Sequence, residues 1–173
     1  MSVKIYDKAL TDLQCEFLVD AFNNSEDTIV RSTSYLSFTE FNFTQHFNGT
    51  EFHVNLAKRL TELTQHYFKD INIKPYFKPG SFEEVRVKRY DANANDRFDI
   101  HIDAADAGTS KRAVAMLFYL NDNDGYTDFP TKNIRVEPKK GRVVVFPPTW
   151  EYPHLGNKPS TEKYIMSSYL HYG

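Results

Sequence analysis

FEEVRVKRYDANANDRFDIHID, residues 82–103, reads as two short strands, FEEVRVKRY and FDIHID, around the polar turn DANAND. The text keeps that character to the end of the chain. AVAMLFYLN (113–121), NIRVEP (133–138), RVVVFP (142–147) and YIMSSYLHY (164–172) are four more segments of strand composition, separated by AADAGTSK, DNDGY, PKKG and GNKPST. No helical period interrupts them. Six short strands at this spacing point to an antiparallel sandwich or barrel.

Upstream the period changes. After a short strand at VKIYDKA (3–9), Thr11 has the chemistry of an N-cap, and Leu13, Phe17, Leu18, Ala21 and Phe22 share one helical face before Asn23 and Asn24 end it. A second helix is expected from about Glu51 to Phe68, with Phe52, Leu56, Leu60, Leu63 and Tyr67 as its apolar stripe. Between them YLSFTEFNF (35–43) alternates as a half-buried strand does. The expected fold is α+β: flanking amino-terminal helices outside a jelly-roll core (a double-stranded β-helix, cupin-like) at about 82–172, within one domain spanning 1–173.

Composition narrows the setting. At 173 residues, 40% hydrophobic and 15% aromatic, with 14 Phe and 11 Tyr, the chain can bury a sheet-rich core. The 21 basic and 23 acidic residues leave a net charge of −2, which gives a nucleic acid or an acidic membrane no broad basic face. One cysteine, Cys15, excludes an internal disulfide and a cysteine-built zinc site. MSVKIYDKALTD lacks the apolar centre of a signal peptide, and no run reaches the about 18 apolar residues of a membrane span. A soluble cytoplasmic protein is the expectation.

The chemistry concentrates at RFDIHIDAAD (97–106). In an extended strand His101 and Asp103 point to one side, while Ile100 and Ile102 point away into packing. An imidazole and a carboxylate on one rigid segment suit a divalent metal. Alone the pair means little: six histidines and 23 acidic residues make one such match about what chance supplies. A third ligand has to come from another strand. His46 sits in a polar loop, His53 and His66 lie on the second helix, and His171 is near the carboxyl end. His154 follows RVVVFP and opens the last strand region, where an antiparallel return carries it toward the pair. His101, Asp103 and His154 are therefore the candidate metal ligands.

With these features in order, the second half of the chain resembles the iron(II)/2-oxoglutarate dioxygenases, in their prolyl 4-hydroxylase-like branch. The resemblance rests on Arg89–Tyr90 before HID, on FYLND at 118–122 with Phe129–Pro130, on VEPKKGRVVVFPP at 136–148 leading to His154, and on Lys163–Tyr164 opening the final strand. It implies Fe(II) on the triad, 2-oxoglutarate and O2 as cosubstrates, and ascorbate as an accessory reductant. It also implies that Lys163 anchors the distal carboxylate, and that Tyr90 and Tyr119 offer hydroxyls to the same pocket. The implied activity is hydroxylation of an acceptor C–H bond, in a prolyl residue or proline, with release of succinate and CO2. Peptides, proteins and small molecules stand open as acceptors.

Two departures fall on the substrate side: Gly125 stands alone where family members often have paired glycines, and Tyr169 occupies a position often held by Trp. DANAND and AADAGTSK flank the claw as candidate lids, and Trp150 and Tyr152 as a candidate aromatic wall. A metal-binding jelly-roll module without turnover, a zinc hydrolytic site and a nucleic-acid demethylase of the same superfamily remain alternatives. The near-neutral charge and a lysine anchor weigh against the last.

Overall fold

The computed structural model describes residues 2–173. In chain order the first half carries β1 (Lys4–Tyr6), α1 (Asp12–Asn23), β2 (Ile29–Ser32), β3 (Leu36–Asn42), α2 (Phe43–Phe47), α3 (Glu51–Asp70) and β4 (Pro79–Phe82). The second half carries β5 (Arg86–Tyr90), β6 (Arg97–His101), β7 (Arg112–Tyr119), β8 (Thr127–Phe129), β9 (Ile134–Val136), β10 (Val143–Phe146), β11 (His154–Gly156) and β12 (Lys163–Tyr172). All pairings are antiparallel, in the order β1-β10-β7-β12-β5-β3-β6-β11-β8-β9, with β2 added on β3 and β4 on β12. The sheet turns over between β3 and β6, so the β6-β11-β8-β9 arm faces the longer wall. The result is the nearly closed jelly roll expected of the strand text.

Strict alternation divides the long wall into two chemistries. Val87, Val114, Met116, Phe118, Val143, Val145, Met166 and Leu170 point to one face and form a core with Leu18 and Phe22 of α1 and Leu56, Leu60 and Tyr67 of α3. The intervening Tyr90, Ala115, Tyr119, Val144 and Ile165 point inward, toward Phe129 of the short arm. The helices therefore stiffen the outside of the wall, and the inside is left to hold a site.

Local signals explain the helix ends. Thr11 and Gln14 form a reciprocal capping box, Gln14 N–H donating to Thr11 Oγ1 at 3.1 Å and Thr11 N–H to Gln14 Oε1 at 2.9 Å. The α3 stripe is buried as expected, with Phe52 partly so. The strand read through Phe43 ends earlier: the Asn42 side chain accepts from Gln45 N–H and starts α2, so His46 lies on a helix and not in a loop. β2, β4, β8 and β11, three or four residues each, are too short to show a period in the sequence. Among the described residues no helix is long and apolar enough to cross a membrane.

Candidate functional site

β6 and β11 pair with His101 opposite His154, which sets the two imidazoles side by side on one face with ring centroids 4.3 Å apart. The ladder then slips: Phe98 of β6 stands opposite Gly156, three residues back against two forward. This bulge carries one extra residue on β6 and brings Phe98 to the face of His101, where the rings stack at 3.4 Å between centroids and 5° between planes. It also overturns one expectation. Ile100 is 56% exposed instead of packed inward, because β6 ends one residue later and its outer side borders an open groove.

Asp103 lies two residues beyond the end of β6, and long-range contacts aim it back at the histidines. Ala104 N–H donates to Pro148 O at 3.0 Å, and Arg112 Nη1 donates to Asp103 O at 2.7 Å. Arg112 is itself held by a two-point pair with Glu83, Nε to Oε2 at 2.7 Å and Nη2 to Oε1 at 2.6 Å, and its guanidinium lies 3.8 Å from the Tyr169 ring centroid. Arg112→Ala should remove the clamp and leave the partly buried Glu83 with only Arg86 and His171 as partners. A stability loss of about 2–3 kcal/mol is expected in urea unfolding, under the ~3–5 of a fully buried pair because Arg112 and Glu83 keep some exposure. A change below about 0.5 kcal/mol would show that the clamp is slack.

His101 Nδ1 donates to Asp99 O at 2.8 Å and His154 Nδ1 to Tyr152 O at 3.1 Å, which fixes both tautomers and leaves each Nε2 lone pair free. Those nitrogens approach Asp103: His101 Nε2 to Oδ1 is 3.4 Å and His154 Nε2 to Oδ2 is 3.6 Å. One donor atom from each residue lies within 4.8 Å of the others. A metal with bonds of about 2.1 Å holds adjacent donors roughly 3 Å apart, so this set fits one face of an octahedral ion after small side-chain adjustments. Burial pushes the Asp103 carboxyl up, but the two imidazoles beside it prevail and hold it down at about 2. Burial, walled by the Phe129 and Phe146 rings, pushes His154 below the usual histidine range. Anionic carboxylate and neutral imidazole are the forms that ligate.

From the triad a narrow cavity runs inward. It leaves about 40 Å³ to the centres of water-sized molecules, where about 10–15 Å³ suffices for one. Lys163, 2% exposed, stands on its wall with Tyr90, and its ammonium lies 4.6 Å from the Tyr90 ring centroid. One of its three donors goes to Gly125 O at 2.8 Å. Burial pushes the Lys163 ammonium down to about 8, with Asp124 opposing. Gly125 is there for space: a Cβ would meet Pro159 Cβ at 3.0 Å and Asn157 O at 3.1 Å. Tyr119, expected on this pocket, stands one layer behind it. Its hydroxyl donates to Thr127 Oγ1 at 2.7 Å, and Thr127 lines the cavity in its place.

Outward, the triad opens on a groove of about 920 Å³. The AADAGTSK loop contributes Ala105, Asp106 and Thr109 to its wall; DANAND contributes nothing. Trp150 points to solvent, while Tyr152 is partly buried behind His154. Arg112, Thr127 and Lys88 of the site escaped the sequence reading, and Phe98 entered it only as part of the resemblance, without a role. A bulge, a 29-residue ion pair and a three-residue strand leave no local signal.

The family model described as the 2OG-Fe(II) oxygenase superfamily matches residues 85–171, half of the chain. No curated protein matches it in sequence. Among solved structures it is similar to a viral collagen prolyl hydroxylase from Paramecium Bursaria Chlorella virus-1 in its 2OG complex, with TM-score 0.73 and 21% identity over 100% of this chain and 97% of that one. A Pseudomonas putida prolyl-4-hydroxylase gives TM-score 0.77 and 15% identity over 99% and 93% of the two chains. A Trichoplax adhaerens prolyl hydroxylase, in complex with a hypoxia inducible factor oxygen degradation domain peptide fragment, gives 0.77 and 15% over 98% and 83%. At such identities the likeness is one of fold.

Proposed function

The chain belongs to the 2OG-Fe(II) oxygenase superfamily, and is an oxygenase that uses iron(II), 2-oxoglutarate and dioxygen; from that premise we propose that residues 1–173 form a single hydroxylase domain acting on prolyl groups, with His101, Asp103 and His154 as the iron ligands. When bound, iron(II) with 2-oxoglutarate supplies the oxidising chemistry: one oxygen atom of O2 goes to succinate, formed with CO2, and the other converts an acceptor C–H to C–OH. The observation that carries the reading is the continuity of two sites. Three donor atoms within 4.8 Å of one another open inward on a narrow cavity with a buried ammonium on its wall, and outward on a groove large enough for a polypeptide.

The chain's own residues divide the work. His101, Asp103 and His154 occupy one face of the metal and leave the other positions to exchangeable ligands. Lys163 meets the distal carboxylate of the cosubstrate with two free N–H donors, and the Tyr90 hydroxyl, which makes no hydrogen bond among the described residues, faces the same space. Phe98, Phe129 and Phe146 pack around the imidazoles and keep bulk water from them. The acceptor enters by the groove. Its arginines are each paired with glutamates, which favours a peptide over a polyanion such as a nucleic acid. The prolyl branch is supported by the fold likeness to three prolyl hydroxylases, one of them holding a peptide.

The test mixes the protein with iron(II) and 2-oxoglutarate under nitrogen, then admits oxygen. A weak visible absorption should bleach as succinate appears, and a proline-rich peptide should gain the mass of one oxygen atom. Oxygen without effect on 2-oxoglutarate would sink the oxygenase assignment; succinate released with oxygen found on another residue type would sink the prolyl one.

A further inference from the structure

Arg31, Arg86, Lys88 and Arg112 line the outer groove, and three of the four are neutralised. Arg31 meets Glu40 at 3.3 Å, Arg86 meets Glu83 and Glu84 at 3.3 and 3.2 Å, and Arg112 meets Glu83 at 2.6 Å. Lys88 is different. Among the described residues its ammonium has neither an ion pair within 4.0 Å nor a hydrogen bond; what it has is the face of the Phe38 ring, 4.8 Å from the centroid. Its cross-strand neighbour Glu40 is already engaged by Arg31 and Arg86.

Position makes the free charge informative. Lys88 shares the inward face of β5 with Tyr90 and lines both the inner cavity and the outer groove, so it stands where the two meet, within the field of Asp103. Among the described residues the one sealed side-chain donor without a partner is Arg89 Nε, on the opposite face of the strand. Lys88 Nζ, also without a partner, therefore opens on the shared space. A half-buried cation with no counter-charge in direct contact is costly unless a ligand brings one. The cosubstrate has its own ammonium, Lys163, two rows further in. The groove side is where the acceptor arrives.

We propose that Lys88 binds a carboxylate carried by the acceptor, next to the carbon that is oxidised, so that this protein acts on acidic acceptors. This rests on the prolyl hydroxylase reading above. The carboxylate has two sources, the α-carboxylate of a free or amino-terminally blocked proline, and an aspartyl or glutamyl side chain beside a prolyl residue. Lys88 contributes binding and selectivity, and no bond to it is made or broken.

Two matched pairs distinguish the sources: N-acetyl-L-proline against N-acetyl-L-prolinamide, and acetyl-Gly-Pro-Glu-amide against acetyl-Gly-Pro-Gln-amide. Affinities are measured by calorimetry on the protein loaded with iron(II) and 2-oxoglutarate under nitrogen, so no turnover is needed. The acid of at least one pair should bind about 10- to 100-fold tighter than its amide, the range of a charge-assisted hydrogen bond. Lys88→Met should bring that ratio to within about twofold, and Lys88→Arg should restore it; Lys88→Gln replaces methionine if that variant does not fold. Equal or undetectable binding of acid and amide in both pairs overturns the proposal, as does a Lys88→Met protein that weakens 2-oxoglutarate yet keeps its preference for acids. Failure of the prolyl reading has another signature: the acids bind selectively, but admitting oxygen puts none on proline.

Discussion

His154→Ala should abolish oxo-acid turnover and iron binding while the fold persists. On the proposed reading the imidazole is the third donor, and its loss would leave a two-point site of His101 and Asp103. Loss of a partner one shell out from a metal already costs about 10–100-fold in affinity or activity, so loss of the ligand should exceed that. The fold does not depend on this side chain. β11 is held to β6 and β8 by its backbone, and the rings of Phe129 and Phe146 can relax into part of the space. A shift in metal-free melting temperature of about 2–6 °C is expected, the effect of roughly 1–2 kcal/mol in a chain of this size. Iron(II) titration followed by protein fluorescence, with succinate release as the second readout, checks the result. Normal turnover in the variant would mean that another residue completes the triad.

The triad was legible because each part leaves a local mark. His101 and Asp103 stand two apart in a strand text, and His154 begins the next region that can return antiparallel to it. The observed register, His101 opposite His154, is that return. What aims Asp103 was not legible. Beyond the end of β6 its direction depends on Arg112 and Pro148, 9 and 45 residues away along the chain, and Arg112 depends in turn on Glu83. Composition, not alternation, marked β7 and β12 as strands, since both are long and buried on both sides. Alternation placed His101 on the face of the site. It misjudged Ile100, where one extra residue on β6 shifts the phase, and it could not show that Thr127, from a strand of three residues, would stand between Tyr119 and the cavity. Periodicity reads long elements; sites assembled from short ones are set by tertiary contacts.

Lys163→Ala should raise the KM for 2-oxoglutarate about 100-fold and leave iron affinity near its normal value. The ammonium is buried and has two unused donors, so its bond to a carboxylate is of the charge-assisted kind, worth about 1.5–3 kcal/mol. The same burial makes the interaction sensitive to pH. With its pKa pushed down to about 8 in the free protein, Lys163 is charged below that pH and loses its proton above it, where only the neutral amine would face the cosubstrate. Since kcat/KM reports the free enzyme, its value for 2-oxoglutarate should be level in this respect up to about pH 8 and then fall, by as much as tenfold per unit. A bound carboxylate favours the ammonium, so kcat should hold to higher pH than kcat/KM. Lys163→Ala removes the titrating group, and its kcat/KM should lack that alkaline fall. An equal fall in both proteins would assign the titration to another group, and an unchanged KM in the variant would place the anchor elsewhere in the cavity.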